Sequence, residues 1–160
     1  MRKIIPIILF AIATMVSCST LDCPLNNTVY TKYKLDGNVT QLTGSYMTIS
    51  TNKQDGEDSI LINKDENVDS FMLPISYTNA ADTLYFEIQD AQERVFKDTL
   101  IVSKDNHPHF ESIDCSPSYF HTITGVTTTH HLIDSVVINH KDVNFDATKS
   151  HFLIYIGTRD

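Results

Sequence analysis

The feature that most narrows what this chain can fold into is a hydrophobic period of two, cut by turn residues at short intervals. Residues 28–35 place Val29, Thr31, Tyr33 and Leu35 on one face and Tyr30, Lys32 and Lys34 on the other, before Asp36-Gly37 turns the chain. Residues 46–50 set Met47 and Ile49 inward. A polar loop through Gln54-Asp55-Gly56-Glu57-Asp58 then returns the chain as Ser59-Ile60-Leu61-Ile62, a hairpin pattern. Residues 63–70 read as a solvated connection. In Phe71-Met72-Leu73-Pro74-Ile75 the proline lacks the N–H that a central strand donates, so this run predicts an edge or a bulge. Residues 83–89 alternate with Leu84, Phe86 and Ile88 inside, and 90–94 link them to 95–102 as a second hairpin. Runs at 110–113, 119–126, 132–138 and 152–156 complete the set. No window longer than about ten residues carries a capped amphipathic helix. About eight or nine short strands predict an all-β fold, an immunoglobulin-like or transthyretin-like β-sandwich, with a small up-and-down β-barrel as the alternative.

The first residues are organised differently. Met1-Arg2-Lys3 precedes an almost wholly apolar run over 4–16, then Ser17-Cys18. The run is too short to cross a hydrocarbon core of about 30 Å and fits the apolar region of a signal peptide. Met15-Val16-Ser17-Cys18 resembles the lipobox of bacterial lipoproteins, with Met where Leu is commonest. The resemblance implies cleavage before Cys18 and acylation of that residue by palmitate-type chains; an ordinary secretory peptide cut elsewhere is the alternative. Each chain contributes about 0.8 kcal/mol per buried CH₂, and two anchoring signals already give stable attachment. The expected organisation is therefore a signal peptide over 1–17, a lipidated Cys18 with a short tether over 18–27, and one sandwich domain over 28–160.

Removing 1–17 takes away Arg2 and Lys3 and no acid, so the formal charge moves from −8 to −10. An acidic chain without Lys/Arg clusters does not suit nucleic acid or an anionic lipid surface as a target. The 41% apolar content is enough for one core. Cys23 and Cys115 would reside in an oxidising compartment after export. A disulfide between them is the economical reading, closing a loop of about ninety residues worth on the order of 4 kcal/mol. Two free thiols or a redox site are the alternatives. Between Cys18 and Cys23 lie only Ser19, Thr20, Leu21 and Asp22, a span of at most about 18 Å, so the bridge would hold the domain close to its membrane.

Chemistry-bearing motifs are sparse. The sequence has no G-x-S-x-G elbow, no H-E-x-x-H, no phosphate-binding glycine loop and no EF-hand ladder, and no cofactor is implied. His107 and His109 flank Pro108 and would share a face if extended, which makes them weak metal candidates; solvated loop residues are the competing reading. His130-His131 and the single His121, His140 and His151 form no ligand spacing. Asp65, Glu66 and Asp69 lack the glycine that lets a calcium loop close. Sugar sites favour flat aromatic platforms, and the chain has no Trp, only tyrosines such as Tyr30 and Tyr85 placed opposite a core face. Four segments read Asp, hydroxyl residue, aliphatic: Asp58-Ser59-Ile60, Asp82-Thr83-Leu84, Asp98-Thr99-Leu100 and Asp134-Ser135-Val136. They resemble the O-glycosylation acceptor of some gut-dwelling envelope bacteria, which makes Ser59, Thr83, Thr99 and Ser135 candidate acceptors. The same order also arises where a turn ends and a strand begins.

Residues 22–30, Asp134-Ser135-Val136 and the closing 151–156 together resemble an uncharacterised family of small lipoproteins from the same kind of bacteria. That resemblance implies an envelope location and a link to outer-membrane β-barrel proteins, and it transfers no catalytic residue. Ser19 rather than Asp follows Cys18, and no acidic run follows either, which points to periplasm-facing attachment at the outer membrane, with surface exposure as the alternative. The expected function is a non-enzymatic, membrane-anchored envelope lipoprotein that binds or supports an outer-membrane protein. A glycan-binding surface lipoprotein is the first rival, and a metal-binding protein or enzyme the second.

Overall fold

A computed structural model describes residues 23, 27–52 and 58–157. The signal segment, Cys18 and the tip of the first hairpin lie outside the described residues. Among the described residues ten strands form: β1 (Tyr30–Asp36), β2 (Leu42–Asn52), β3 (Asp58–Val68), β4 (Ser70–Pro74), β5 (Ala81–Gln89), β6 (Val95–His109), β7 (Ser118–Thr128), β8 (Ile133–Ile138), β9 (Asp142–Val143) and β10 (Phe152–Ile156). They lie in two sheets, ordered β4-β1-β10-β8 and β3-β2-β5-β6-β7-β9. Among the described residues no ladder joins the two sheets, so the fold is a β-sandwich and not a closed barrel. The ladder between β1 and β10 is parallel, and the other described ladders are antiparallel.

The alternation read in the sequence becomes the core. Val29, Thr31, Tyr33 and Leu35 are buried, as are Met47 and Ile49, and Leu84, Phe86 and Ile88. Tyr33 stands between Phe71 and Phe152, with ring centroids 5.0 and 4.8 Å away, and Phe86 meets Phe71 edge-on at 6.0 Å. Burial of each such side chain contributes about 1.5–3 kcal/mol. Burial pushes the Tyr33 phenol well above its ordinary pKa, so it stays neutral. The β5–β6 turn is built by Asp90, whose carboxylate accepts the backbone N–H groups of Gln92 and Arg94, each at 2.9 Å. That local closure lets Glu93 take a left-handed φ of 62°.

Two connections carry buried polar groups. Asp98 is 4% exposed, and its carboxylate accepts the Thr129 hydroxyl at 2.6 Å and the N–H groups of His131, Leu132 and Ile133 at 2.8, 2.6 and 2.8 Å. Burial alone raises its pKa; the donors, Thr129 first, outweigh that and hold it below the usual carboxylate range. His151 is fully buried beside β1, where its N–H donates to the Lys32 carbonyl at 2.8 Å and its Nδ1 accepts the Lys32 N–H at 2.9 Å. Burial, and then the neighbouring His140, push the pKa of His151 down.

Three departures from the sequence reading stand out among the element boundaries. β6 runs past Val102 to His109, because its inward positions switch from aliphatic to Lys104 and Asn106 without the backbone leaving the sheet. Residues 110–113 form no strand, and Phe110 and Ile113 are exposed, at 61% and 97%. Residues 63–68 belong to β3 rather than to a loop. Register shifts against β2, with Lys64 and Asn67 at φ of 52° and 55°, keep that polar run in the ladder.

Candidate functional site

After Pro74 the chain leaves the four-stranded sheet and crosses to β5 in the other, and residues 75–80 are pinned by a buried polar cluster. The side chain of Lys104 is 0% exposed and that of Asp82 14%, with Nζ to carboxylate 3.2 Å. Lys104 also donates to the Ser76 hydroxyl at 3.2 Å and the Asn79 carbonyl at 2.7 Å, while its N–H reaches the Ala80 carbonyl at 2.9 Å. Asp82 in turn accepts the Ser76 N–H at 3.1 Å and the Ser76 hydroxyl. Every donor of the ammonium group thus has a partner, which is the condition under which a buried cation is tolerated.

Asn106 extends this cluster to a histidine. Its Nδ2 donates to the carbonyls of Tyr77 and Asn79 at 3.1 and 3.0 Å, which orients its Oδ1 toward His121 Nδ1, 2.7 Å away. Nδ1 therefore carries the proton and Nε2 is the acceptor. His121 is 3% exposed, and burial, followed by the charge of Lys104, lowers its pKa to about 4. It is a neutral imidazole of one tautomer at physiological pH.

His121 lines a cleft of about 570 Å³ at this end of the sandwich. One wall is the segment leading into β1, where Asn27 donates to the Ser116 carbonyl at 3.3 Å. The disulfide between Cys23 and Cys115, with Cα atoms 5.5 Å apart, ties that segment to residues 115–117. The lining also includes Tyr77 and Tyr119, stacked with centroids 4.9 Å apart.

A second feature is the open side of β4. The Leu35 N–H bonds the Asp69 carbonyl at 2.9 Å and the Ile75 N–H bonds the Val29 carbonyl at 3.4 Å, so odd-numbered positions bond to β1. In an antiparallel pair the alternate residues turn both backbone groups away. Ser70 and Met72 therefore present N–H and C=O outward, and the missing N–H of Pro74 falls on the side where no ladder bond is lost. Met72 is 45% exposed.

A model described as a family of unknown function, DUF6452, matches residues 46–156. The chain belongs to that family. No curated protein and no solved structure matches it. The DUF6452 match includes β4, Tyr77, Lys104, Cys115 and His121, whereas Cys23 and β1 precede it.

The residues singled out from the sequence are distributed over the DUF6452 fold rather than gathered. Cys18 lies outside the described residues. Cys23 and Cys115 are joined. His107 and His109 are strand residues of β6: His107 Nε2 is 3.4 Å from the Thr122 hydroxyl, and His109 stacks on Phe120 at 4.1 Å and meets Glu111 at 3.2 Å. Among the described residues no three His, Cys, Asp or Glu side chains form a group able to hold a metal. Of the four candidate acceptors, Thr83 and Thr99 follow aspartates already engaged in the interior, Asp82 and Asp98. Ser59 begins the outer strand β3 between exposed Asp58 and Ile60, and Ser135 stands on β8 opposite Tyr155. Tyr30 and Tyr85 are half-buried on the outer faces of different sheets. The sequence names His121 only as a histidine without ligand spacing; its inward position between Tyr119 and Ile123 is the signal of its buried role.

Proposed function

We propose that this DUF6452 protein is a non-enzymatic lipoprotein of the cell envelope, anchored in the outer membrane through acylated Cys18 and facing the periplasm. In this reading it binds or supports an outer-membrane β-barrel protein by accepting a strand of that partner. The observation that carries the reading is the outward row of Ser70 and Met72 backbone groups on β4, beside an exposed methionine. An unpaired edge of this kind templates strand addition and needs no special side-chain chemistry. The disulfide supports it, because residue 23 is bonded to the domain only five positions after Cys18. A chain of that length spans at most about 18 Å, which keeps the domain beside the leaflet that holds its acyl groups.

The other edges are less suited. β3 is longer, but its ladder shifts register and its second half carries Lys64, Asp65 and Glu66. β9 has two residues, and the last residues of β7 border Ser135 and Val136 of β8. A photo-cross-linking residue at Met72, introduced in intact envelopes, is expected to capture an outer-membrane protein, and Met72→Pro is expected to abolish co-purification of that protein. Proline there deletes one outward donor and leaves the bonds to β1 intact. Co-purification that is unchanged by Met72→Pro would contradict strand addition at this edge.

A further inference from the structure

The cleft beside the disulfide is separate from the β4 edge, and its chemistry specifies a ligand class. Asn27 Nδ2 faces the Ser116 carbonyl, so Oδ1 is the atom left over, and it is buried with no hydrogen-bond partner among the described residues. His121 has Nδ1 committed to Asn106, which leaves Nε2 as its acceptor in the same cleft. The cleft thus offers two acceptors, of which Asn27 Oδ1 is buried and unpaired. Leaving a buried acceptor unpaired costs about 1–3 kcal/mol, which a ligand that donates hydrogen bonds would recover.

Charge narrows the class further. Among the described residues no Asp, Glu, Lys or Arg lines the cleft. The nearest ion pair, Lys104 with Asp82, is spent on Ser76 and on the Asn79 carbonyl. An anion would find no cation there and a cation no carboxylate. A purely apolar ligand would supply a donor to neither acceptor. What remains is a neutral molecule that carries several hydroxyl donors and an apolar face, and Tyr77, 60% exposed, offers a ring for that face. The volume of about 570 Å³ lies within the range of small-molecule sites.

We propose that this cleft is a binding site for a neutral saccharide unit, whose hydroxyls donate to His121 Nε2 and Asn27 Oδ1 while its C–H face packs against Tyr77. The test uses the full-length chain, labelled with ¹⁵N in its histidines, and a panel of methyl β-glucoside, N-acetylglucosamine, maltose and cellobiose, with glucose 6-phosphate as the charged control. At least one neutral sugar is expected to shift the His121 Nε2 resonance saturably. Tyr77→Ala, a change on the surface, should weaken that binding at least tenfold, and glucose 6-phosphate should bind at least tenfold more weakly than the best neutral sugar. Met72→Pro should leave the titration unchanged, which separates this site from the β4 edge. No shift with any neutral sugar, an equal response to the phosphate, or a shift that survives Tyr77→Ala would overturn the assignment.

Discussion

Around Tyr33 the sandwich interior is closed by stacked rings, whereas around Lys104 the same interior is closed by directional polar contacts. The ring packing is non-directional and roughly proportional to buried area, so its parts substitute for one another. The polar end has no such tolerance, because each group there is buried on the condition that its partner stays. The polar end also shapes a cleft, whereas the aromatic end fills its space. One half of the core thus supplies stability and the other holds a particular crossing, residues 75–80, in place beside the open β4 edge.

The contrast is broken most forcefully at Lys104. Lys104→Met leaves Asp82 buried without its cation and is expected to cost about 3–5 kcal/mol in urea denaturation. A loss under 1 kcal/mol would show that water already reaches the cluster. Asp98→Asn puts an amide NH₂ among donors that need an acceptor, and is expected to cost about 2–3 kcal/mol by the same measurement. At the aromatic end, Ile154→Val removes one methylene from a fully buried site and should cost only about 0.5–1.5 kcal/mol.

Acid sharpens the comparison, since the two histidines held neutral, His121 and His151, have depressed pKa values. In the unfolded chain each would titrate near 6.5, so between there and the folded value of His121, about 4, the unfolded state binds more protons. The contribution of these groups is full above about pH 6.5 and is lost as the pH falls through that window. Urea midpoints measured across the window should fall with acidification. The slope should be shallower in His121→Gln than in the parent.

The two ends also differ in how far they could be read from sequence. The aromatic end was legible because Val29, Tyr33, Leu84 and Phe86 obey the period of two, and Pro74 marked an edge by its missing N–H. The polar end was not. Lys104, Asn106 and His121 sit at inward positions, but polarity at those positions imitates the end of a strand, so the sequence pattern ends β6 at Val102. Their partners on residues 75–80 are contributed largely by backbone carbonyls, which leave no trace in side-chain pattern. The cleft was hidden for the same reason: Asn27, Tyr77 and His121 are far apart in sequence and meet only through the crossing and the Cys23–Cys115 bridge.

The central claim, an open β4 edge waiting for a partner strand, is tested most directly by amide hydrogen exchange along residues 70–75. In the isolated protein the Met72 amide should exchange quickly while those of Phe71 and Leu73 are protected by β1, and Met72 should become protected in intact envelopes. Slow exchange of Met72 in the isolated protein, or no gain of protection in envelopes, would contradict the account.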